Sequence, residues 1–268
     1  MTVLPSLLLV GAGRMGAALL SGWREQGLSQ TFVVDPSADA QSLAGPGVSV
    51  LSDAALLPAD FSPEAVILAV KPQMAASVLP RYARFASSGI FISIMAGKTV
   101  QGVTQMTGGL SVVVRAMPNT PAAVRQGITV AFAGPDVSVA QQNLSGRLLS
   151  AVGEVAWVKD ESMLDSVTAI SGGGPAYVFL LTELLEQAGL DQGLPADLAK
   201  RMARLTIVGS AALLAASSET PGALRVAVTS PGGTTAEALK LLRADDALPK
   251  IFKAAIQAAT DRSRELSS

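Results

Sequence analysis

Two short segments of this chain hold the residues best placed to do chemistry. Thr229-Ser230-Pro231-Gly232-Gly233-Thr234-Thr235 sets two glycines and four hydroxyl residues directly before Ala236-Glu237-Ala238-Leu239-Lys240-Leu241-Leu242, which reads as a helix. The first N–H groups of a helix have no intrahelical acceptor, and beside glycine no side chain blocks approach, so this backbone can hold a small carboxylate. Gly11-Ala12-Gly13-Arg14-Met15-Gly16 is a Gly-x-Gly-x-x-Gly fingerprint between an apolar run and a helix-like stretch. That context allows a tight turn, close approach of a pyrophosphate, and a helix N-terminus facing it. A nucleotide at one segment and a small anion at the other point to a reductase of a small acid.

Further candidates stand where apolar runs stop. Asp35 ends the next run, followed by Pro36 and Ser37. It can bond the adenine ribose hydroxyls, which favours NAD, or serve as a turn or capping residue; Ser37 and Ser42 offer hydroxyls to a 2′-phosphate, so NADP stays open. Ala69-Val70-Lys71-Pro72 closes a continuous apolar run. Lys71 is either a group facing the nicotinamide ribose or a phosphate, or a surface lysine opening a turn. Met95-Ala96-Gly97 closes another run. In Arg115-Ala116-Met117-Pro118-Asn119-Thr120-Pro121, Asn119 is a candidate for the nicotinamide amide, and Arg115 is expected to pair with an acid rather than with substrate. Ser171-Gly172-Gly173-Gly174-Pro175 opens a long helix and suits close packing as well as it suits substrate contact.

The elements that must position these residues follow from periodicity. Leu7–Val10, Thr31–Asp35, Val48–Val50, Ala65–Val70, Ile90–Ile94, Val112–Ala116, Ile128–Phe132 and Glu154–Val158 read as strands. The unbroken apolar runs suit a parallel sheet covered on both faces. After Trp157 only helical patterns remain: 161–170, 175–188, 195–216, 221–228, 235–242 and 248–266. The expectation is an α/β fold, with a nucleotide-binding domain over residues 1–158 and an all-helical domain over 159–268. Within the third of those helices, Ile207, Val208, Ala211 and Ala212 make the second half apolar all round, which calls for a partner subunit.

Composition narrows the function. Among 268 residues, 49% are hydrophobic and 15% charged, so a large subunit interface is expected. A net charge of −1 without a basic cluster argues against nucleic acid. With no Cys and no His, zinc sites of the Cys/His type and Ser-His-Asp or Cys-His catalysis are excluded. No apolar run has the length and flanks of a membrane span or signal sequence, and a cytoplasmic setting is the expectation.

From about Leu7 to about Leu242 the chain resembles the pyrroline-5-carboxylate reductases. The resemblance rests on Gly11–Gly16, Ala69-Val-Lys-Pro-Gln, Met95-Ala-Gly, Arg115-Ala-Met-Pro-Asn-Thr-Pro, Gly172-Gly-Gly-Pro-Ala-Tyr and Thr229-Ser-Pro-Gly-Gly-Thr-Thr. It implies an N-terminal Rossmann-type domain and a C-terminal helical domain that interleaves with a second subunit, giving a homodimer that is often built into a ring of dimers. It implies reduction of 1-pyrroline-5-carboxylate to proline with NADPH or NADH. On that pattern Gly11, Ala12, Gly13, Arg14, Met15 and Gly16 hold the pyrophosphate. Ala69, Val70, Lys71 and Pro72, with Met95, Ala96 and Gly97, line the nicotinamide half. The backbone of Ser230, Gly232, Gly233 and Thr234 binds the substrate carboxylate, and the Thr235 hydroxyl reaches the ring nitrogen. Two departures stand out: the family's serine between glycines is Gly173 here, and Asp35 is more acidic than a strict NADPH enzyme wants.

Hydride addition to a protonated imine asks little of side chains beyond placement, so the lack of His is no obstacle. Hydroxyacid dehydrogenases of similar design carry a Lys and paired Asn on the first helix of the second domain. Here Val178, Leu181 and Thr182 take those places, so carbonyl reduction would lack its acid. A reductase of another cyclic imine, or a nucleotide-binding scaffold without turnover, remain the alternatives.

Overall fold

The structure, a computed structural model, describes residues 3 to 267. Two compact units divide the chain: residues 1–172 together with 259–268, and residues 173–258. The last sheet strand ends at Val158, and the first unit runs on past it and takes back the end of the chain.

Among the described residues, the first unit holds one eight-stranded sheet. Its strands are β1 (Leu7–Val10), β2 (Thr31–Val34), β3 (Val48–Leu51), β4 (Ala65–Leu68), β5 (Ile90–Ser93), β6 (Val112–Met117), β7 (Gly127–Ala133) and β8 (Gly153–Val158). Their order is β3-β2-β1-β4-β5-β6-β7-β8, and every pair is parallel except β6 with β7. Strand order reverses between β1 and β4; in open α/β sheets ligands bind outside the carboxyl ends of the strands at such a point.

Strand alternation builds two cores. Leu7 and Leu9 face a cluster with Leu19, Leu20 and Trp23 of α1 (Arg14–Gln26). Leu8 and Val10 face the other, with Leu79, Tyr82, Phe85 and Phe91. All four residues of β1 are buried, as a two-sided sheet demands, at about 2 kcal/mol of stabilisation for each fully buried leucine. Trp23 Nε1 donates to the Leu148 carbonyl at 2.8 Å, satisfying the one polar atom of the largest core side chain. Burial pushes the Tyr82 phenol up to about 12. The remaining helices of this unit are α2 (Ala75–Val78), α3 (Val100–Met106), α4 (Val139–Leu149) and α5 (Met163–Val167). Ser138 and Gln141 form a capping box that starts α4.

The second unit contains α6 (Gly174–Asp191), α7 (Ala196–Ala216), α8 (Pro221–Ala227), α9 (Thr234–Leu242) and the start of α10 (Ala247–Ser267). No residue of α6 is buried, and α7 buries only Ala199 and Ala203. A Cβ on Gly189 would lie 3.0 Å from the Ala199 Cβ, so small residues bring α6 and α7 together. Beyond that seam Phe179 is 62% exposed, Leu184 59% and Leu205 64%. Water-facing apolar surface on this scale marks an interface.

The sequence pattern expects a break between helices at residues 170–175, and the structure bridges it. Residues Thr168–Gly172 form a π-helical turn that leads from α5 towards α6. Thr168 Oγ1 donates to the Leu164 carbonyl at 2.7 Å and Ser171 Oγ to the Val167 carbonyl at 3.1 Å, side-chain bonds of the kind that bend helices.

Candidate active site

The glycines of the first fingerprint separate into two kinds. Gly11 has φ +91 and a Cβ there would lie 2.8 Å from the Ala69 carbonyl oxygen; a Cβ on Gly16 would collide with the Gly11 carbonyl oxygen. Both are therefore required by the chain's own packing, which seats α1 tightly on β1 and β4. A Cβ on Gly13 would meet nothing within 4 Å, and Gly13 is the N-cap of α1, with no side-chain cap. No packing contact asks for glycine at that point, and the open approach leaves room for a pyrophosphate against the first turn of α1. Ala12 and Met15 are half-buried and Arg14 is exposed beside it. These residues fit a dinucleotide.

Asp35 follows β2, and both of its carboxylate oxygens are held. Oδ2 accepts from the Ala12 N–H at 2.6 Å and Oδ1 from the Ser37 N–H at 2.8 Å. The carboxylate is thus tied to the fingerprint loop, and each oxygen keeps a further lone pair for a ribose hydroxyl. Pro36 and Ser37 are exposed, and Ser37 caps the 3-10 turn that follows.

Ala69, Val70, Lys71 and Pro72 lie at the end of β4. Ala69 N–H donates to the Val10 carbonyl at 2.8 Å, joining this loop to the fingerprint strand. Lys71 is exposed and precedes a 3-10 turn with Pro72 in its first positions. Met95, Ala96 and Gly97 follow β5, with Met95 and Gly97 buried. Since β1, β2, β4 and β5 are parallel neighbours, the sheet brings all these loops to one edge.

Arg115 lies inside β6 and is fixed there by Glu161: Nη1 to Oε1 is 3.0 Å, with the side chains 5% and 25% exposed. The same Glu161 oxygen accepts the Val100 N–H at 2.8 Å. The arginine is thus structural, as its expected pairing with an acid implies. Asn119 Oδ1 accepts the Ile128 N–H at 2.9 Å, so its carbonyl holds the β6–β7 connection. A Cβ on Gly172 would lie 2.7 Å from Met117 Cε, which gives that glycine a packing reason.

Three contacts fall outside what the motifs suggested. Glu161 is one. Another is Asp165, buried in α5, whose Oδ1 accepts from Ser263 Oγ at 2.7 Å. The third is Leu266, whose carbonyl oxygen would lie 3.0 Å from a Cβ on Gly97. Each joins residues far apart in sequence, and no local pattern announces such a pair.

The anion segment belongs to the second unit. Ser230-Pro231-Gly232-Gly233 closes with Gly233 N–H donating to the Ser230 carbonyl at 3.0 Å, and Gly232 has φ +68, the arrangement of a type II turn with Pro then Gly in its centre. Gly233 is the N-cap of α9. The Gly233 amide is taken by the turn, so the N–H groups left for an anion are those of Gly232, Thr234 and Thr235. Ser230, Thr234 and Thr235 are exposed. Thr229 Oγ1 donates to the Arg225 carbonyl at 2.6 Å and anchors the turn to α8.

Over its length the chain is 39% identical to the pyrroline-5-carboxylate reductase of Pseudomonas aeruginosa, covering 98% of this chain and 97% of that protein. The chain belongs to the pyrroline-5-carboxylate reductase family. Residues 161–266 match the model for pyrroline-5-carboxylate reductase dimerisation, and residues 6–97 that for NADP oxidoreductase, coenzyme F420-dependent. The solved pyrroline-5-carboxylate reductase of Coxiella burnetii is 33% identical, with TM-score 0.88 over 98% of this chain and 99% of that one. A pyrroline carboxylate reductase of Plasmodium falciparum, solved with NADP bound, is 30% identical, with TM-score 0.83 over 98% of both chains. As a pyrroline-5-carboxylate reductase family member the chain is an NAD(P)-dependent oxidoreductase. The dimerisation match covers the helices whose apolar side chains stand exposed in the single chain, and it supports oligomer formation.

Proposed function

We propose that this chain reduces the C=N bond of 1-pyrroline-5-carboxylate to give L-proline, the last step of proline biosynthesis, as a cytoplasmic homodimer that assembles further into a ring of dimers. The observation that carries the proposal is the pairing of two sites of unlike kind on one chain. One is the N-terminus of α1 at Gly13, where a Cβ would meet nothing within 4 Å and the backbone is open to a ligand. The other is the α9 N-terminus, whose free amides follow a turn closed by Gly232 and Gly233.

Bound NADPH or NADH supplies the hydride. The fingerprint loop 11–16 holds the pyrophosphate with the N-terminus of α1. Ala69, Val70, Lys71 and Pro72, with Met95, Ala96 and Gly97, hold the nicotinamide half, and the Asn119 NH2 group meets its amide. The Gly232, Thr234 and Thr235 amides take the substrate carboxylate, and Ser230 and Gly233 shape the turn that aims them. Thr235 Oγ1 orients the ring nitrogen or relays a proton to it through water. The chain has no histidine, and placing a protonated imine against the hydride donor needs none. Asp35 accepts the adenine ribose hydroxyls and opposes a 2′-phosphate, which favours NADH.

The test is steady-state oxidation of NADPH and of NADH by purified protein with 1-pyrroline-5-carboxylate, for wild type and Thr235→Ala. Turnover by wild type with a drop of about a hundredfold in Thr235→Ala supports the assignment. Wild-type turnover and substrate affinity in Thr235→Ala would remove the role of Thr235. Nucleotide binding without turnover in wild type would move the reading to another imine carboxylate or to a scaffold.

A further inference from the structure

We infer that the last turns of α10 act as a clamp on the Met95–Gly97 loop, making Ser263 and Leu266 positioning residues for the nicotinamide cofactor. The inference rests on the reading of that loop as the nicotinamide side.

The loop is held from both ends. After β5 the chain turns through Gly97 at φ +69, and a Cβ there would lie 3.0 Å from the Leu266 carbonyl oxygen and 3.1 Å from its Cβ. Leu266 therefore lies directly on the Gly97 backbone, and glycine is needed both for the backbone conformation and for the approach. Just past the loop, α3 begins at Val100, whose N–H donates to Glu161 Oε1 at 2.8 Å. Glu161 in turn binds the buried Arg115, so the far end of the loop is tied to the middle of the sheet.

The clamp has its own anchor. Residues 247–255 of α10 are exposed, whereas Thr260 and Ser263 are 5% and 4% exposed. Ser263 Oγ donates to Asp165 Oδ1 at 2.7 Å, and Asp165 is 7% exposed. A hydroxyl donating to a buried carboxylate is a strong, directional contact. It sets the rotation of the helix, and one turn further on Leu266 meets Gly97. Both partners belong to the sheet unit, to which residues 259–268 return. Hydride transfer tolerates little misplacement of the reacting atoms, and a loop hinged on a positive-φ glycine has other conformations to visit unless something lies on it.

The test uses the full-length protein with Ser263→Ala, its conservative partner Ser263→Thr, and a chain that stops after Arg262. Nucleotide affinity is read by NADPH and NADH fluorescence, which needs no substrate, and KM for cofactor and kcat follow from turnover. The expected result is a Kd and KM for the nucleotide raised about tenfold in Ser263→Ala and further in the shortened chain. Ser263→Thr should stay near wild type, and KM for 1-pyrroline-5-carboxylate should be unchanged. Nucleotide Kd within twofold of wild type in both Ser263→Ala and the shortened chain would overturn the inference, even where melting temperature falls. Should that chain not fold, one that stops after Glu265, which removes Leu266 and keeps Ser263 on Asp165, must raise Kd by the same factor or the inference fails. Failure of the catalytic reading shows separately, as wild-type nucleotide binding without turnover.

Discussion

Replacing Glu161 by alanine tests how the sheet unit holds its site edge. Glu161 Oε1 takes two donors, Arg115 Nη1 at 3.0 Å and the Val100 N–H at 2.8 Å. Arg115 is buried to 5% exposure while the carboxylate keeps 25%. Removing one partner of a fully buried pair costs about 3–5 kcal/mol, because the other charge is left without compensation. The partial exposure of Glu161 brings that to about 2–3 kcal/mol, and loss of the acceptor at the start of α3 adds about 1 kcal/mol. The sum, about 3–4 kcal/mol, should lower the melting temperature by roughly 10 °C for a chain of this size, measured at fixed protomer concentration because assembly shifts the midpoint. Glu161→Gln keeps an acceptor for Val100 and should lose about 2 kcal/mol. Replacing the pair together, Arg115→Met with Glu161→Leu, removes both charges and should leave a deficit of only about 1 kcal/mol. Urea unfolding of the four proteins decides the matter. A loss below about 1 kcal/mol in Glu161→Ala, or a double variant no more stable than the single one, would refute the reasoning.

Three further outcomes are expected. Gly13→Val should leave the melting temperature within about 1 °C and weaken nucleotide binding at least a hundredfold, whereas Gly16→Ala should lose about 1–3 kcal/mol of stability through collision with the Gly11 carbonyl; calorimetry and fluorescence titration separate the two. Asp35→Asn should raise the NADPH-to-NADH ratio of kcat/KM at least tenfold, since it removes a negative charge from the ribose end of the site; an unchanged ratio would give Asp35 a purely structural part. Tyr82 has its folded pKa raised to about 12 from 10, so the folded state keeps a proton that the unfolded chain gives up. Its contribution is complete below pH 10 and is lost as pH rises through 12, and Tyr82→Phe should flatten the stability curve over that window.

Much of the fold is legible in the sequence because burial on two faces leaves a plain mark. Leu7–Val10 and Ala65–Leu68 are unbroken apolar runs, Ile90–Ser93 is apolar up to its last residue, and each is a fully buried strand. The glycine fingerprint is legible for the same reason, its constraints being local: φ at Gly11 and collisions within a few residues or with a neighbouring strand. The helix break read at Ser171–Pro175 shows the limit. The helical patterns end at 170 and resume at 175, but a π turn carrying the side-chain bonds of Thr168 and Ser171 runs through Thr168–Gly172. Likewise Gly232 and Gly233 look alike in sequence, yet one supplies the turn conformation and the other spends its amide closing it. The contacts of Glu161, Asp165 and Ser263 span 46 to 98 residues, and only the folded chain brings them together.

The helices α6 and α7 carry a consequence for how much enzyme a cell obtains. Their apolar side chains face water in a single chain, so a newly made copy carries an adhesive face until it meets another. Pairing is second order in chain concentration while loss to proteolysis or sticking is first order. The yield of finished enzyme therefore rises more steeply than the rate of synthesis, and a copy with a damaged site still occupies the face of a sound one. Dilute expression will cost more activity than a count of chains made would suggest.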